Sequence, residues 1–169
     1  RPYKGDLHLH SFYSDGNSTP AYVAGACRRV GFDFMALTDH GMQGPSLMAI
    51  KAFEDLPIDL QLYPGEEVHA PHTRSHILAI GGDYSVNNLY ADEATYTADL
   101  AAIRDGLGDL PDGVNPEEAA CCMWVFENIR KAGGLSVFCH PFWIAGRRYH
   151  PGMPLTEYLF EKQSFDAYE

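Results

Sequence analysis

Two histidines separated by one residue, His8 and His10, stand in the stretch most suited to chemistry, residues 6–16, Asp-Leu-His-Leu-His-Ser-Phe-Tyr-Ser-Asp-Gly. On a β-strand alternate side chains share a face, so His8 and His10 point one way while Leu7 and Leu9 point the other. The carboxylate of Asp15 follows just before a glycine turn. Such a set can converge on a cation. A lone histidine on a strand is usually a hydrogen-bonded side chain and nothing more. For the pair that explanation is weaker, because adjacent imidazoles repel when protonated and leave lone pairs to satisfy when neutral.

Further donors stand beside turns or strand ends: His40 after Leu37-Thr38-Asp39, Glu67 after Pro64-Gly65-Glu66, His76 before an apolar run, and His140 before Pro141. With His8, His10 and Asp15 they make five imidazoles and two carboxylates. Mixed nitrogen and oxygen donors suit Zn²⁺, Mn²⁺ or Fe²⁺, and one carboxylate can bridge two neighbouring cations. A side-chain nucleophile finds no support. There is no Gly-x-Ser-x-Gly elbow, and Cys139 beside His140 reads as core packing.

The elements that must position these donors begin with a strand at 6–10. Ser18-Thr19-Pro20 starts a helix that Gly31 stops, and Phe32 to Thr38 is a buried strand. A helix from near Pro45 and a strand near Asp59 to Tyr63, running into Pro64 to His69, complete three parallel β/α units. His10, His40 and Glu67 then fall at strand C-terminal ends, where α/β folds carry their sites. Only Ala70 to Ser75 separates His69 from His76-Ile77-Leu78-Ala79-Ile80, too little for a parallel crossover, so a hairpin is expected. Its register sets His69 opposite His76 and brings His76 beside Glu67, with His69 as the competing donor. Glu66 faces away from Glu67.

Asp92 to Asp105 reads as a helix, and Asn115-Pro116-Glu117-Glu118 caps another that runs to Ala132. Leu135 to Cys139 is a strand that delivers His140. Pro154 to Lys162 is a short helix, and Phe165 to Glu169 begins a further strand. His72 and His150 read as surface or loop residues. With no repeat or linker, residues 1–169 read as one α/β domain.

The net charge of −11 excludes the basic footprint that long duplex nucleic acid requires, yet allows a small phosphate ester held by cations. No stretch reads as a membrane span or a signal-peptide core. The cysteines, Cys27, Cys121, Cys122 and Cys139, form no Cys-x-x-Cys pair. They read as reduced, buried thiols of a cytoplasmic enzyme.

The runs His8-Leu9-His10, Ser14-Asp15-Gly16, Leu37-Thr38-Asp39-His40, Pro64-Gly65-Glu66-Glu67, His76-Ile77-Leu78 and His140-Pro141 resemble, in order, the motifs of the PHP (polymerase and histidinol phosphatase) family of metal-dependent hydrolases. Lys4-Gly5-Asp6-Leu7-His8 and the Pro-Gly-Glu-Glu run look most like its CehA/McbA-type branch. The resemblance implies a distorted seven-stranded, TIM-like β/α barrel with two or three divalent metals at its C-terminal mouth. It implies that His8 and His10 hold one metal and that Glu67 bridges to a second on His76 and His140. Asp15 and His40 hold a third, and Asp39 orients a neighbour. Family members also supply a late Asp-x-His, which is absent from these 169 residues. The domain is therefore expected to be C-terminally incomplete.

The activity expected is hydrolysis of a small phosphate ester by metal-activated water, with Arg147 or Arg148 as a candidate phosphate contact or an exposed solvated pair. Hydrolysis of a carbamate, amide or other ester on the same site is the alternative. A non-catalytic metal-binding regulatory module is the reading from another class.

Overall fold

The computed structural model describes residues 1–169, the side chain of Ala145 excepted. Strand β1 (Gly5–Leu9), helix α1 (Pro20–Arg29), strand β2 (Phe34–Leu37), helix α2 (Gly44–Ala52) and strand β3 (Gln61–Tyr63) follow in order. Thr19 caps α1 by accepting the Tyr22 backbone N–H, and Pro20 sits in the first turn. The three strands pair in parallel in the order β1-β2-β3, as the alternating pattern predicts.

Strict alternation fails in β1. Asp6 pairs with Met35 and Leu9 with Leu37, so Leu7 and His8 together oppose Ala36 in a bulge. Leu7 consequently packs inward with Leu78, Ile80 and Cys139, while Leu9 packs outward with Met35 and Leu37. The expectation that Leu7 and Leu9 share a face is thus corrected. The bulge keeps both His8 and His10 on the inner side while Leu7 fills the interior beneath them.

A second sheet begins with the expected hairpin, β4 (Gly65–His69) against β5 (His76–Ile80), in the register His69 to His76 and Glu67 to Leu78. β3 and β4 lie along the same edge of β2 with one offset: residue 34 meets 61, and 40 meets 67. Pro64 and Gly65 interrupt the line. Gly65 passes so close to β2 that a Cβ there would lie 2.7 Å from the Leu37 carbonyl oxygen. Gly65→Ala should therefore lower stability by about 1–3 kcal/mol through overpacking. An unchanged denaturation midpoint would mean that β4 can move off β2 freely.

After β5 come helices α3 (Glu93–Gly106) and α4 (Pro116–Lys131), strand β6 (Leu135–Phe138), a ribbon of β7 (Ile144–Ala145) and β8 (Arg148–Tyr149), helix α5 (Met153–Lys162) and strand β9 (Ala167–Tyr168). The second sheet has the order β4-β5-β6-β9, with β9 parallel to β6. Asn115 caps α4 through the backbone N–H groups of Glu117 and Glu118. The buried face of α4, including Trp124, Phe126 and Ile129, covers the outer face of this sheet at Val68, Ile77 and Phe138. The sheet's inner face joins Ala36 and Leu7 of the first sheet in one apolar interior.

The fold is α/β, as expected, and the strands are not seen to close into the seven-stranded barrel that the resemblance implies. Among the described residues they fall into open sheets of three and four strands plus the β7–β8 ribbon, and no ladder joins β1 to β9. No helix among the described residues is long and apolar enough to cross a membrane.

All four cysteines are buried and free. Burial pushes their thiols up, Cys122 to about 12. Under native conditions at neutral pH none should react rapidly with a thiol reagent, and all four should react after denaturation. Rapid labelling of even one in the folded protein would contradict this burial.

Candidate metal centre

Strand alternation separates the two neighbouring glutamates. Glu66 faces outward and is fully buried, accepting from Ser85 Oγ at 2.6 Å, Val86 N at 2.5 Å and Asn87 Nδ2 at 2.9 Å. It anchors the segment after β5. Glu67 faces inward, equally buried, and imidazoles surround it. His40 Nδ1, His8 Nε2 and His10 Nε2 lie 3.0, 3.2 and 3.3 Å from Oε2. His76 Nδ1, His140 Nε2 and His69 Nε2 lie 2.7, 3.4 and 3.7 Å from Oε1. His69 thus joins His76 in facing Glu67.

Asp15 completes the other flank, with His10 Nδ1 at 3.4 Å from Oδ1 and His40 Nε2 at 3.4 Å from Oδ2. One cavity of ≈ 470 Å³ is lined by His8, His10, Asp15, His40, Glu67, His76 and His140, together with Pro141, Phe142, Trp143 and Glu169. All seven residues singled out from the sequence therefore meet at one place. They form overlapping groups of ring nitrogens and carboxylate oxygens: His8–Glu67–His140, His10–Asp15–His40 and His40–Glu67–His69–His76.

Supporting contacts decide which nitrogens face the centre. Asp39 is buried and accepts from Ser11 N at 2.9 Å, Ser11 Oγ at 2.8 Å and Ser14 Oγ at 2.6 Å. Because the Ser14 hydroxyl donates to Asp39, it accepts from His10 Nδ1 at 3.3 Å. That leaves the Nε2 lone pair of His10 aimed at the cluster. Glu169 Oε1 accepts from His8 Nδ1 at 2.6 Å, which turns His8 Nε2 inward in the same way. His140 has a backbone φ of +35°, a conformation that costs a non-glycine residue about 1–3 kcal/mol and persists where surrounding structure enforces it.

Three features escaped the sequence reading. Glu169 reaches His8 across almost the whole chain, and no local pattern marks that contact. His150, read as a loop residue, is brought back to the cluster by a hydrogen bond from its backbone N–H to the Trp143 carbonyl at 2.8 Å. It shares a candidate group with His76 and His140. Its signal was Gly146, which sits at φ +57° between the two strands of the ribbon. The third feature is the aromatic wall of Phe142 and Trp143 directly after His140-Pro141. Arg147 and Arg148 are exposed on the ribbon and do not line the cavity. His72 is exposed, as expected.

Electrostatics follow the geometry. Burial alone would push the Glu67 carboxyl up, but the imidazoles of His140, His69, His76 and His8 outweigh it and hold Glu67 far below the usual range. Burial lowers the His8 imidazole, yet its bonds to Glu67 and Glu169 prevail and raise it to about 9. Burial dominates at His10 and His76, which are both lowered.

No protein-family model matches the chain. One curated protein, the DNA polymerase/3'-5' exonuclease PolX of Bacillus subtilis, is 51% identical over 37 residues. That stretch is 22% of this chain and only 6% of the polymerase. The solved structures are similar over nearly the whole chain. One from Bifidobacterium adolescentis, provisionally assigned as a metal-dependent phosphoesterase, has a TM-score of 0.63 and 17% identity, covering 99% of this chain and 77% of its own. A two-domain protein from Bacteroides vulgatus, containing a predicted PHP-like metal-dependent phosphoesterase, has a TM-score of 0.63 and 18% identity. The match covers 98% of this chain and 43% of that one. An amidohydrolase from Chromobacterium violaceum, solved with sulfate and no metal, has a TM-score of 0.61 and 23% identity, covering 98% and 76%. The chain has the fold of PHP-like proteins.

The donor set fits metal ions. Six imidazole nitrogens lie within 3.7 Å of Glu67, while a carboxylate offers about four lone-pair sites. Hydrogen bonding cannot satisfy all six. His10 makes the point most directly: its bare Nε2 and the Glu67 carboxylate face each other at 3.3 Å, which is repulsive unless something positive lies between them. A divalent cation answers that need with nitrogen and oxygen donors it prefers.

Proposed function

We propose that the chain is a metal-dependent hydrolase of the PHP family, acting on a small phosphate ester. The observation that carries this reading is the buried Glu67 with three imidazoles at each of its oxygens. In this reading His8 and His10 hold one ion, Glu67 bridges, His76 and His140 hold a second, and Asp15 and His40 hold a third. When bound, zinc, manganese or iron at such positions lowers the pKa of water and neutralises charge on an attacked phosphoryl group. The protein's own part is positional. Asp39, through Ser14, and Glu169 fix the rings of His10 and His8. Phe142 and Trp143 offer an apolar wall to whatever the substrate carries beside its reacting group.

Two of the similar structures bear phosphoesterase names, which supports the phosphate reading. The amidohydrolase favours a second one, hydrolysis of an amide or carbamate on the same centre. The CehA/McbA-type placement belongs to that second reading. No lysine or arginine lines the cavity among the described residues, so an anionic substrate relies on the ions for its neutralisation. The charge of −11 makes a small molecule the fitting partner, not long duplex DNA. Reduced thiols make the cytoplasm the fitting compartment.

The test is turnover of a phosphomonoester, a phosphodiester and an aryl carbamate by protein loaded with Zn²⁺, Mn²⁺ or Fe²⁺. Phosphoester cleavage that a chelator abolishes is expected. Cleavage of the carbamate alone would install the second reading, and metal uptake without any turnover would mark a binding module. Degradation of long duplex DNA with no turnover of small esters would overturn the assigned substrate size.

A further inference from the structure

Beside the Glu67 centre lies a group that the sequence motifs do not include. His76, His140 and His150 each offer a ring nitrogen within 4.8 Å of the other two. The His150 ring stands edge-on to His76 at 4.8 Å and tilted to His140 at 6.4 Å, measured between centroids. Each of the three also has a buried Nδ1 without a hydrogen-bond partner. His76 Nδ1 lies 2.7 Å from Glu67 Oε1 but lacks the alignment of a hydrogen bond.

Packing alone accounts poorly for this arrangement. A buried polar atom left unpaired costs about 1–3 kcal/mol, and the Nδ1 atoms of His140 and His150 have no partner to offset it. Nor is His150 there by proximity in sequence to β5. The β7–β8 ribbon folds it back, fixed by its backbone N–H on the Trp143 carbonyl, and Trp143 in turn packs against His140 and His150 at 5.4 and 4.7 Å between ring centroids. The ribbon presents one imidazole to two others.

We propose that His76, His140 and His150 form a tris-imidazole site for one divalent transition metal, with His150 as a metal ligand. The proposal rests on the reading of the Glu67 cluster as a metal centre and adds a donor to it. Three nitrogen donors, with the Glu67 carboxylate beside them, make a four-donor set that suits Zn²⁺. Nitrogen donors also favour Zn²⁺ and Co²⁺ over Mn²⁺ and Mg²⁺. This site should therefore select zinc, even where the more oxygen-rich His10–Asp15–His40 group accepts manganese.

The experiment uses the whole chain, stripped by chelation and titrated with Zn²⁺ against a chromophoric chelator. Co²⁺ titration is followed in parallel by visible absorption, because four-coordinate Co²⁺ with nitrogen donors absorbs far more strongly than the six-coordinate ion. His150→Gln is compared with the wild type, with His72→Gln as a surface control and Glu67→Gln as the test of the main centre. Metal-free melting curves confirm that each variant folds. If His150→Gln unfolds, His150→Asn and Trp143→Phe take its place.

Loss of one Zn²⁺ equivalent, or weakening of one site by more than about 100-fold, is expected for His150→Gln, exceeding the 10–100-fold typical of a residue that only supports a ligand. The strong Co²⁺ band should fall with it. Wild-type stoichiometry, affinity and Co²⁺ spectrum in His150→Gln would overturn the tris-imidazole site while leaving the Glu67 centre intact. No metal uptake by the wild-type chain would overturn both. Glu67→Gln should lose this metal with the rest of the centre, and a strong Co²⁺ site kept in that variant would overturn the placement of the His150 metal within the Glu67 centre.

Discussion

Glu67→Gln should strip the protein of bound metal and lower its hydrolytic activity by on the order of 10³-fold, since metal stabilisation of a reaction is worth several kcal/mol. The amide keeps the shape of the carboxylate but removes its negative charge and half of its acceptor capacity. Six imidazole nitrogens would then face a neutral group. Glu66→Gln is the natural comparison, being one residue away, equally buried and of the same chemistry. Its carboxylate serves Ser85, Val86 and Asn87. That substitution should cost about 1–3 kcal/mol of stability by weakening charge-assisted hydrogen bonds. Metal content should stay at the wild-type level. Elemental analysis and denaturant titration read the two effects separately. Equal metal loss in both variants would mean that Glu67 is not the centre of the site.

The contrast between these neighbours was legible in the sequence because it depends only on the two-residue period of a strand. So were the hairpin that sets His69 opposite His76 and the placement of His10 and His40 just past the ends of β1 and β2, whereas Glu67, expected at a strand end, lies in the middle of β4. These features follow from connection length and alternation. The bulge in β1 was not legible. It inserts one residue opposite Ala36, and nothing in Leu7-His8-Leu9 distinguishes a bulged strand from a regular one. The same limit applies to Glu169 and His150. Each reaches the cluster through pairings that the whole fold decides: β9 on β6, and β7 on β8. The open sheets belong with them, because closure depends on which edges find partners. A resemblance built on six short motifs carries no information about that.

The bulge also explains how one strand serves two purposes. In a regular strand, presenting His8 and His10 inward would send both leucines outward. Here Leu7 stays inside with Leu78, Ile80 and Cys139, so the floor under the imidazoles is closed by apolar side chains. Water is kept from the underside of Glu67, and the charge of its carboxylate is felt by the imidazoles through a low-dielectric medium. The contacts of Glu67 are strong for that reason, and the site is best probed through residues that hold it from behind.

Asp39 is the most consequential of these. Its carboxylate reaches the cavity wall only through Ser14, yet three donors converge on that buried group. Asp39→Ala should lower stability by roughly 3 kcal/mol or more, because the Ser11 N–H and two hydroxyls lose their acceptor. It should also weaken metal binding by about 10–100-fold, the range for losing a group that orients a ligand. The second effect has its own cause. Without Asp39 the Ser14 hydroxyl is free to donate to His10 Nδ1, and the proton of His10 can then move to Nε2, the nitrogen that faces Glu67. Ser14→Ala separates the two consequences, since it removes the link to His10 while Asp39 keeps both contacts with Ser11. It should reproduce part of the affinity loss with little change in stability. Metal titrations and denaturation curves for the two variants, run side by side, decide the matter. Should Asp39→Ala bind metal as tightly as the wild type once folded, His10 does not depend on this chain of hydrogen bonds for its orientation. Asp39 would then be a purely structural anchor between β1 and β2.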